Sequence, residues 1–340
     1  MNNQNTAEME QQAENFVNSF AGVREQIGQV IVGNRDIIDG VITCLLASGH
    51  VLLEGVPGLG KTMLVRTLAR TVDLSFSRVQ FTPDLMPADI SGTTILQDSA
   101  GSSREFRFQP GPIFANIVLA DEINRATPKT QSAMLEAMQE HSVTVAGNCH
   151  KLAEPFFVLA TQNPIEMEGT YPLPEAQLDR FLFKLIIHSP SMEELMQIVV
   201  RTTGVLEEDI KPIIEAKTIL SMRLLALQVH IAAHVLEYAV KLVRGTHPDG
   251  ETATEAVRRF VRFGSSPRGA QAVVIAAKIR ALLEGRYNVS YEDIQAVAKP
   301  ALRHRIILNF EGEAEGILAD TLIDGILSHN KAQSTLTLRV

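Results

Sequence analysis

The chain reads as an α/β protein, a mostly parallel five-stranded sheet covered by helices and followed by a smaller all-helical domain. Three observations predict this. Five short apolar runs, Val51 to Glu54, Ser75 to Phe81, Ile117 to Ala120, Phe156 to Thr161 and Leu182 to Ile187, alternate with stretches of helical periodicity. Continuous apolar strands separated by helices belong to parallel sheets buried on both faces. After Ser189-Pro190 the strand signal ends, and from Ser191 to about Arg305 the pattern is helical, broken at Gly204, Thr246 to Gly250 and Gly264-Ser265-Ser266-Pro267. At 340 residues and 45% hydrophobic content, the chain can bury one sizeable core and a second, smaller one.

Taken in order, residues 1–15 (MNNQNTAEMEQQAEN) are polar, without a basic start or an apolar centre, and are expected to form a disordered tail rather than a targeting segment. Phe16, Phe20, Val23, Ile27 and Val30 then recur at helical spacing, and a second helix is expected from about Asn34 to Ser48 on Ile37, Ile38, Val41 and Leu45. The α/β core is expected over 16–190 and the helical domain over 191–340. Two hairpins interrupt the core. Gly92 to Leu96 and Arg104 to Phe108 alternate residue by residue around Asp98-Ser99-Ala100-Gly101-Ser102, placing one near 92–108, and Gly147-Asn148 turns a second near 142–152. Ser334 to Val340 alternates weakly and is left unassigned, and no internal repeat is present.

Composition narrows the function. A net charge of −8 and a pI near 5.6 argue against a grip on nucleic-acid phosphates as the main activity. Cys44 and Cys149 are the only cysteines and stand outside any metal or redox spacing, which fits a reducing compartment. No apolar run approaches the roughly 20 residues that span a bilayer, so a cytoplasmic location is expected.

The chemistry concentrates at strand ends. Gly55-Val56-Pro57-Gly58-Leu59-Gly60-Lys61-Thr62 follows the first strand and opens the helix beginning near Met63. Glycines let backbone N–H groups turn inward on phosphate oxygens, and the helix N-terminus adds partial positive charge. Gly55, Pro57, Gly58, Leu59, Gly60, Lys61, Thr62 and Met63 are therefore the candidate nucleotide-binding residues, with Lys61 on the β- and γ-phosphates and Thr62 on Mg²⁺. The third strand ends in Asp121-Glu122. Asp121 is the candidate to hold Mg²⁺ through water, and Glu122 to orient or deprotonate the attacking water. The fourth strand ends in Gln162-Asn163-Pro164, where Asn163 either fixes that water or makes an Asx-type turn before the proline. Arg180, before the last strand, is a candidate arginine finger, and Arg268, at the start of a C-terminal helix, can bring the second domain onto the nucleotide.

Other features carry less. His230 and His234 have zinc-helix spacing, but Ile231 stands where a glutamate base belongs, so they are read as helix-face histidines. Leu224, Leu227, Ile231, Val235, Tyr238 and Leu242 are read as core of the helical domain. Arg258, Arg259 and Arg262 form a small basic cluster near Arg268.

GVPGLGKT, VLADEINRA, ATQNP, LPEAQLDRF and SSPRG occur in an order and spacing that resemble the MoxR family of AAA+ P-loop ATPases, over roughly Asn34 to His304. The hairpin after the second strand resembles the helix-2 insert, the Gly147-Asn148 hairpin resembles the pre-sensor-1 hairpin, and the combination resembles the clade that includes magnesium-chelatase motor subunits and MCM-like helicases. QFTPDLMPADISG, FRFQPGPIFANIVLADEINRA and NPIEMEGTYPLPEAQLDRFLFK look specifically like MoxR. The resemblance implies ATP hydrolysis with Mg²⁺, Asn163 as sensor-1, Arg180 as the finger offered to a neighbour's ATP, Arg268 as sensor-2, and Arg125 near the subunit boundary. It also implies a homo-oligomeric ring, usually hexameric, a chaperone-like role in maturing client protein complexes, and a partner with a von Willebrand factor A domain. GSSPRG departs from the commoner GASPRA while keeping Arg268 in place. A magnesium-chelatase-like motor, an MCM-like nucleic-acid motor and a nucleotide-gated scaffold are the alternative readings.

Overall fold

The computed structural model describes residues 3–98, 104–164, 170–204 and 210–337, so most of the first hairpin's expected turn and part of the run between Asn163 and Tyr171 lie outside the described residues. Helices α1 (Asn3–Val30) and α2 (Arg35–Leu46) lead into strand β1 (His50–Glu54), helix α3 (Lys61–Thr71) and strand β2 (Phe76–Gln80). The short helix α4 (Pro87–Ser91) opens the first hairpin, β3 (Gly92–Asp98) and β4 (Arg104–Pro110). Next come β5 (Ile117–Asp121), α5 (Pro128–Glu140), the second hairpin β6 (Ser142–Val145) and β7 (Asn148–Lys151), then β8 (Phe157–Gln162), α6 (Glu175–Leu178) and β9 (Phe181–Ile186). Helices α7 (Met192–Thr203), α8 (Ala216–Gln228), α9 (Ala233–Arg244) and α10 (Glu255–Phe260) follow, then strand β10 (Val261–Phe263), helices α11 (Pro267–Leu283) and α12 (Tyr291–Leu302), strand β11 (Ile307–Leu308), and helices α13 (Phe310–Ala314) and α14 (Ala319–Thr337). Among the described residues no helix is long and apolar enough to cross a membrane.

The main sheet has the order β2-β5-β8-β1-β9 with every neighbouring pair parallel. Its strands alternate sides because successive side chains leave opposite faces. Val51, Leu53, Ile117, Leu119 and Leu159 face one apolar cluster with α1, α2 and α3, and Leu52, Val118, Ala120, Val158 and Ala160 face another with α5. At the carboxyl edge the apolar register gives way to polar partners, Gln80 beside Asp121 and Glu54 beside Gln162.

The first cluster does not stop at the sheet. It continues without a break into Leu225, Val235, Tyr238, Leu242, Val273 and Ile294 of the helical region, so the change of secondary structure near residue 190 is not a gap in packing. The β9 edge is covered by consecutive residues after α12: Arg303 donates to the Lys184 carbonyl (3.3 Å), His304 to that of Phe181 (2.9 Å) and Arg305 to those of Phe181 and Leu182 (2.7 and 3.1 Å). Unpaired strand carbonyls are thereby satisfied.

Three expectations are corrected. Helix α1 begins at Asn3, where residues 1–15 read as a disordered tail. Alanines, glutamates and glutamines sustain a helix without an apolar stripe, and Ala13 anchors it, buried with its amide donating to the Tyr287 hydroxyl at 3.1 Å. His230 and His234 do not share a helix face. His230 forms an isolated bridge with Asn288 before α9 begins, while His234 lies 5.8 Å from the Tyr291 ring. The chain breaks between α8 and α9, which rotates Leu224 and Leu227 out to 62% and 60% exposure, and Ile219, Met222, Leu225 and Ala226 form the buried face instead.

Candidate nucleotide site

A cavity of about 470 Å³ opens at the carboxyl edge of the sheet, lined by Pro57, Gly58, Gly60, Lys61, Thr62, Met63, Arg66, Arg78, Gln80, Asp121, Glu122 and Asn163. The loop between β1 and α3 forms one wall. Gly58 and Gly60 have φ of +82° and +73°, left-handed values that a side chain would strain, and the reversal they make aims the start of α3 at the cavity. Lys61, the first residue of α3, folds over this loop and donates to the Gly55 carbonyl at 2.7 Å. Burial pushes its ammonium below the ordinary lysine value, and Asp121 and Glu122 pull it back up. Two expected binding residues stand apart from the cavity lining. Gly55 is buried against Ile187, and Leu59 packs on the apolar cluster behind the loop.

The opposite wall is acidic. Asp121 ends β5 in extended geometry and Glu122 follows at φ +56°, a left-handed turn for a residue with a side chain. Along a continuing strand the two carboxylates would leave opposite faces; the turn brings both to the cavity, and strain of this kind gathers at functional sites. One hydroxyl holds the arrangement. Thr161 of β8 donates to Asp121 Oδ1 at 2.6 Å and accepts the Glu122 amide at 2.8 Å. Arg78 donates to Asp121 Oδ2 from Nε and a terminal nitrogen (3.1 and 2.7 Å), while Gln80 and Arg125 reach Glu122 Oε2 at 2.8 and 2.9 Å. Asn163, 4% exposed, completes the wall.

Thus Lys61, Thr62, Asp121, Glu122 and Asn163 line one cavity. Arg66, Arg78, Gln80 and Thr161 were missed. Their signals are positional: Arg66 stands one helical turn beyond Thr62, and Arg78 and Gln80 are two apart on β2 and so share a face. Thr161 and Gln80 fall within two of the stretches that carry the family resemblance, ATQNP and QFTPDLMPADISG, whereas Arg66 and Arg78 belong to none.

Arg180 and Arg268 do not line the cavity. Arg180 donates to the Leu135 carbonyl on α5 at 2.6 Å. Arg268 is in the first turn of α11 and lies 3.5 Å from Asp179, the residue before Arg180. Asp179 also accepts from the Ser266 hydroxyl (2.9 and 2.8 Å to its two oxygens) and from Arg305 Nε (2.8 Å). Arg258 and Arg259 spend their donors elsewhere, on the Gly250 carbonyl and on Glu311 and Glu315.

The GSSPRG variation has a packing reason. A Cβ on Gly269 would fall 2.0 Å from Ser265 Oγ. The hydroxyl at 265 occupies the space that an alanine methyl at 269 would need, so relative to GASPRA the two positions have exchanged one heavy atom.

A phosphate-shaped loop facing a paired acidic strand end, on a five-stranded parallel sheet with a helical lid, defines a P-loop ATPase of the AAA+ class. Family comparison agrees: residues 50–183 match the ATPase family associated with various cellular activities, and 253–326 match the AAA lid domain. The chain is 48% identical to protein YeaC of Bacillus subtilis over 89% of its own length and 92% of that protein, and 42% identical to chaperone MoxR1 of Mycobacterium tuberculosis over 89% and 79%. A crystal structure of an ATPase candidate from Cytophaga hutchinsonii superposes with a TM-score of 0.89 at 40% identity, covering 96% of this chain and 98% of that one. The chain belongs to the MoxR family of AAA+ ATPases.

Proposed function

We propose that this protein hydrolyses ATP with Mg²⁺ at sites completed between subunits of a homo-oligomeric ring, and uses the turnover to remodel or mature client protein complexes. The observation that carries the reading is the convergence on one cavity of Lys61 and Thr62 from the phosphate loop with Asp121, Glu122 and Asn163 from two strand ends. The donor set suits a hard cation. Thr62 offers a hydroxyl and Asp121 a carboxylate, the oxygen ligands Mg²⁺ takes alongside phosphate and water. Bound there, Mg²⁺ would neutralise charge on the phosphates. Glu122 orients the attacking water and accepts its proton. Lys61 and the loop amides hold the phosphate tail, and Asn163 restrains the water from the β8 side.

Arg180 is proposed to act on a neighbour's nucleotide, for which its absence from its own cavity lining gives support. Arg268 is proposed to reach the nucleotide from the lid, and Arg125, paired with Glu122, to lie near the subunit boundary. The two hairpins support placement in the helix-2-insert clade, and Phe108 of one stacks on His150 of the other at 4.0 Å. A chaperone role rests on the family and on the name of the M. tuberculosis relative, a von Willebrand factor A partner on the family resemblance alone, and a cytoplasmic site of action on the sequence reading of cysteine usage and apolar runs.

The test is steady-state ATPase rate against protein concentration. A rate per subunit that rises with concentration, disappears in Lys61→Ala, Glu122→Gln and Arg180→Ala, and partly returns when Arg180→Ala and Lys61→Ala proteins are mixed supports sites completed in trans. A rate independent of concentration and indifferent to Arg180 rejects them.

A further inference from the structure

Two arginines, Arg268 and Arg305, and the Ser266 hydroxyl converge on the Asp179 carboxylate. Ser266 is the N-cap of α11: its hydroxyl oxygen accepts the Arg268 amide at 3.1 Å, while its proton goes to the Asp179 carboxylate. Asp179, Ser266 and the first turn of α11 therefore form one hydrogen-bonded chain, and where the carboxylate sits decides where Arg268 starts. Arg305 fixes the carboxylate in turn. Its side chain is 3% exposed, and besides Asp179 Oδ1 it donates to the carbonyls of Asp179, Phe181, Leu182 and Ala301. The Arg268 guanidinium is held loosely by comparison, 49% exposed and at the edge of hydrogen-bond distance. Gly269 lets this turn approach closely, because a Cβ there would also press on Arg305 Cδ and Leu302 Cδ2 at 3.1 Å. A rigid base carrying a loosely held cation is how a fold aims a residue at a ligand bound beside it.

We propose that Asp179 is a positioning residue for the ATPase site: through Ser266 it seats the amino end of α11 and so sets the approach of Arg268 to the nucleotide. Asp179 is not part of the cavity lining. This rests on the nucleotide role of Arg268 proposed above, and it goes beyond that role by assigning the group that aims the arginine. Asp179 also precedes Arg180 directly, so one short segment carries both the seat of the lid and the arginine offered to a neighbour.

A double-mutant cycle on ATP turnover in the full-length chain tests this. Loss of a hydrogen bond to a charged group corresponds to about a tenfold effect, so Asp179→Asn is expected to lower turnover about tenfold, and Ser266→Ala, which leaves the Asp179–Arg305 pair intact, about threefold. Combined with Arg268→Ala, neither lowers turnover further, because all act through the same guanidinium. Ser266→Thr, which keeps the hydroxyl, restores turnover. Ser266→Ala keeps the test meaningful should Asp179→Asn fail to fold, with thermal melting reporting on both. Effects that multiply with Arg268→Ala, or full turnover in folded Ser266→Ala and Asp179→Asn proteins, overturn the proposal while leaving the role of Arg268 standing. Full turnover in Arg268→Ala removes that role and the positioning claim with it.

Discussion

The nucleotide cavity and the lid junction each pair an arginine with an aspartate at nearly the same distance, and differ in how much water reaches the pair. Arg78 holds Asp121 at 2.7 Å with its side chain 48% exposed, whereas Arg305 holds Asp179 at 2.8 Å with its side chain 3% exposed. Contact geometry alone does not separate them. Solvent does: an exposed pair exchanges its partner for water or a ligand at small cost, while a buried pair, once formed, strands a charge if either half is removed. The rim of the cavity is built from the first kind, and the joint between core and lid from the second.

The largest expected effect is therefore at the junction. Arg305→Ala leaves Asp179 without its closest cation and the carbonyls of Asp179 and Leu182 without this donor, while the Phe181 carbonyl keeps His304. A cost of about 3–5 kcal/mol is expected. Urea or thermal unfolding of the full chain measures it, and a loss below about 1 kcal/mol would mean that burial does not distinguish the two pairs.

The junction was also the part of the molecule least legible in the sequence. Residues 55–62 and 121–122 announce themselves because phosphate and metal chemistry needs fixed residue types at fixed short spacings, and the five strands because a buried parallel strand is apolar throughout. Asp179, Ser266 and Arg305 obey no such spacing. They meet because β9 ends the sheet where the turn after α12 returns to it, a fact of tertiary packing. Arg180 and Arg268 were legible as family motifs, yet the motifs did not tell that Asp179 connects the segment of one to the cap of the other. Leu224 and Leu227 show the same limit from the other side: their spacing is helical and apolar, and the break between α8 and α9 decided that they face solvent.

Second in size is a pH effect at two buried histidines, one at the amino end of β1 and one at the junction. His50, at the start of β1, accepts the Val158 amide on Nδ1, which leaves Nε2–H to donate to the Met138 carbonyl (3.0 Å each), so an added proton would face a donor. Burial lowers its pKa to about 4, with His141 and Arg223 pushing the same way and Glu154 and the Met138 carbonyl opposing. His304 at the junction is lowered well below the ordinary value, by burial first and by Arg305 next. The native state thus binds fewer protons than the unfolded chain below about pH 6.5, and stability is full above that pH and lost as pH falls. For His50 the loss develops between about pH 6.5 and 4 and is on the order of 3 kcal/mol. Stability measured from pH 7.5 to 4.5 should decline less steeply in His50→Gln protein, relative to its own value at pH 7.5, than in the wild type. An unchanged slope would place the titrating groups elsewhere.

Smaller again is the exchange within GSSPRG. Gly269→Ala drives a methyl onto Ser265 Oγ, expected to cost about 1–3 kcal/mol as overpacking, and Ser265→Ala in the same chain should recover most of it. Additive losses in the double variant would show that Gly269 is needed for its closeness to Arg305 and Leu302 rather than for the serine.

The smallest stability effect is expected at Arg78, and it gives the finest test of the contrast. Arg78→Met keeps the length of the side chain and removes the charge; with Asp121 still anchored by Thr161 and the cavity open to water, the cost is expected to stay within about 1 kcal/mol. The metal requirement should move instead. Arg78 places two donors on Asp121 Oδ2 and a full positive charge beside the carboxylate proposed to hold Mg²⁺. Without it the site is more negative and that oxygen is free, so the Mg²⁺ concentration giving half-maximal ATPase activity should fall about threefold, whatever happens to the maximal rate. A destabilisation above about 2 kcal/mol would place Arg78 with Arg305 as a structural cation. A Mg²⁺ requirement that stays put or rises would mean that Arg78 does not compete with the metal for Asp121 but helps to hold the phosphates beside it.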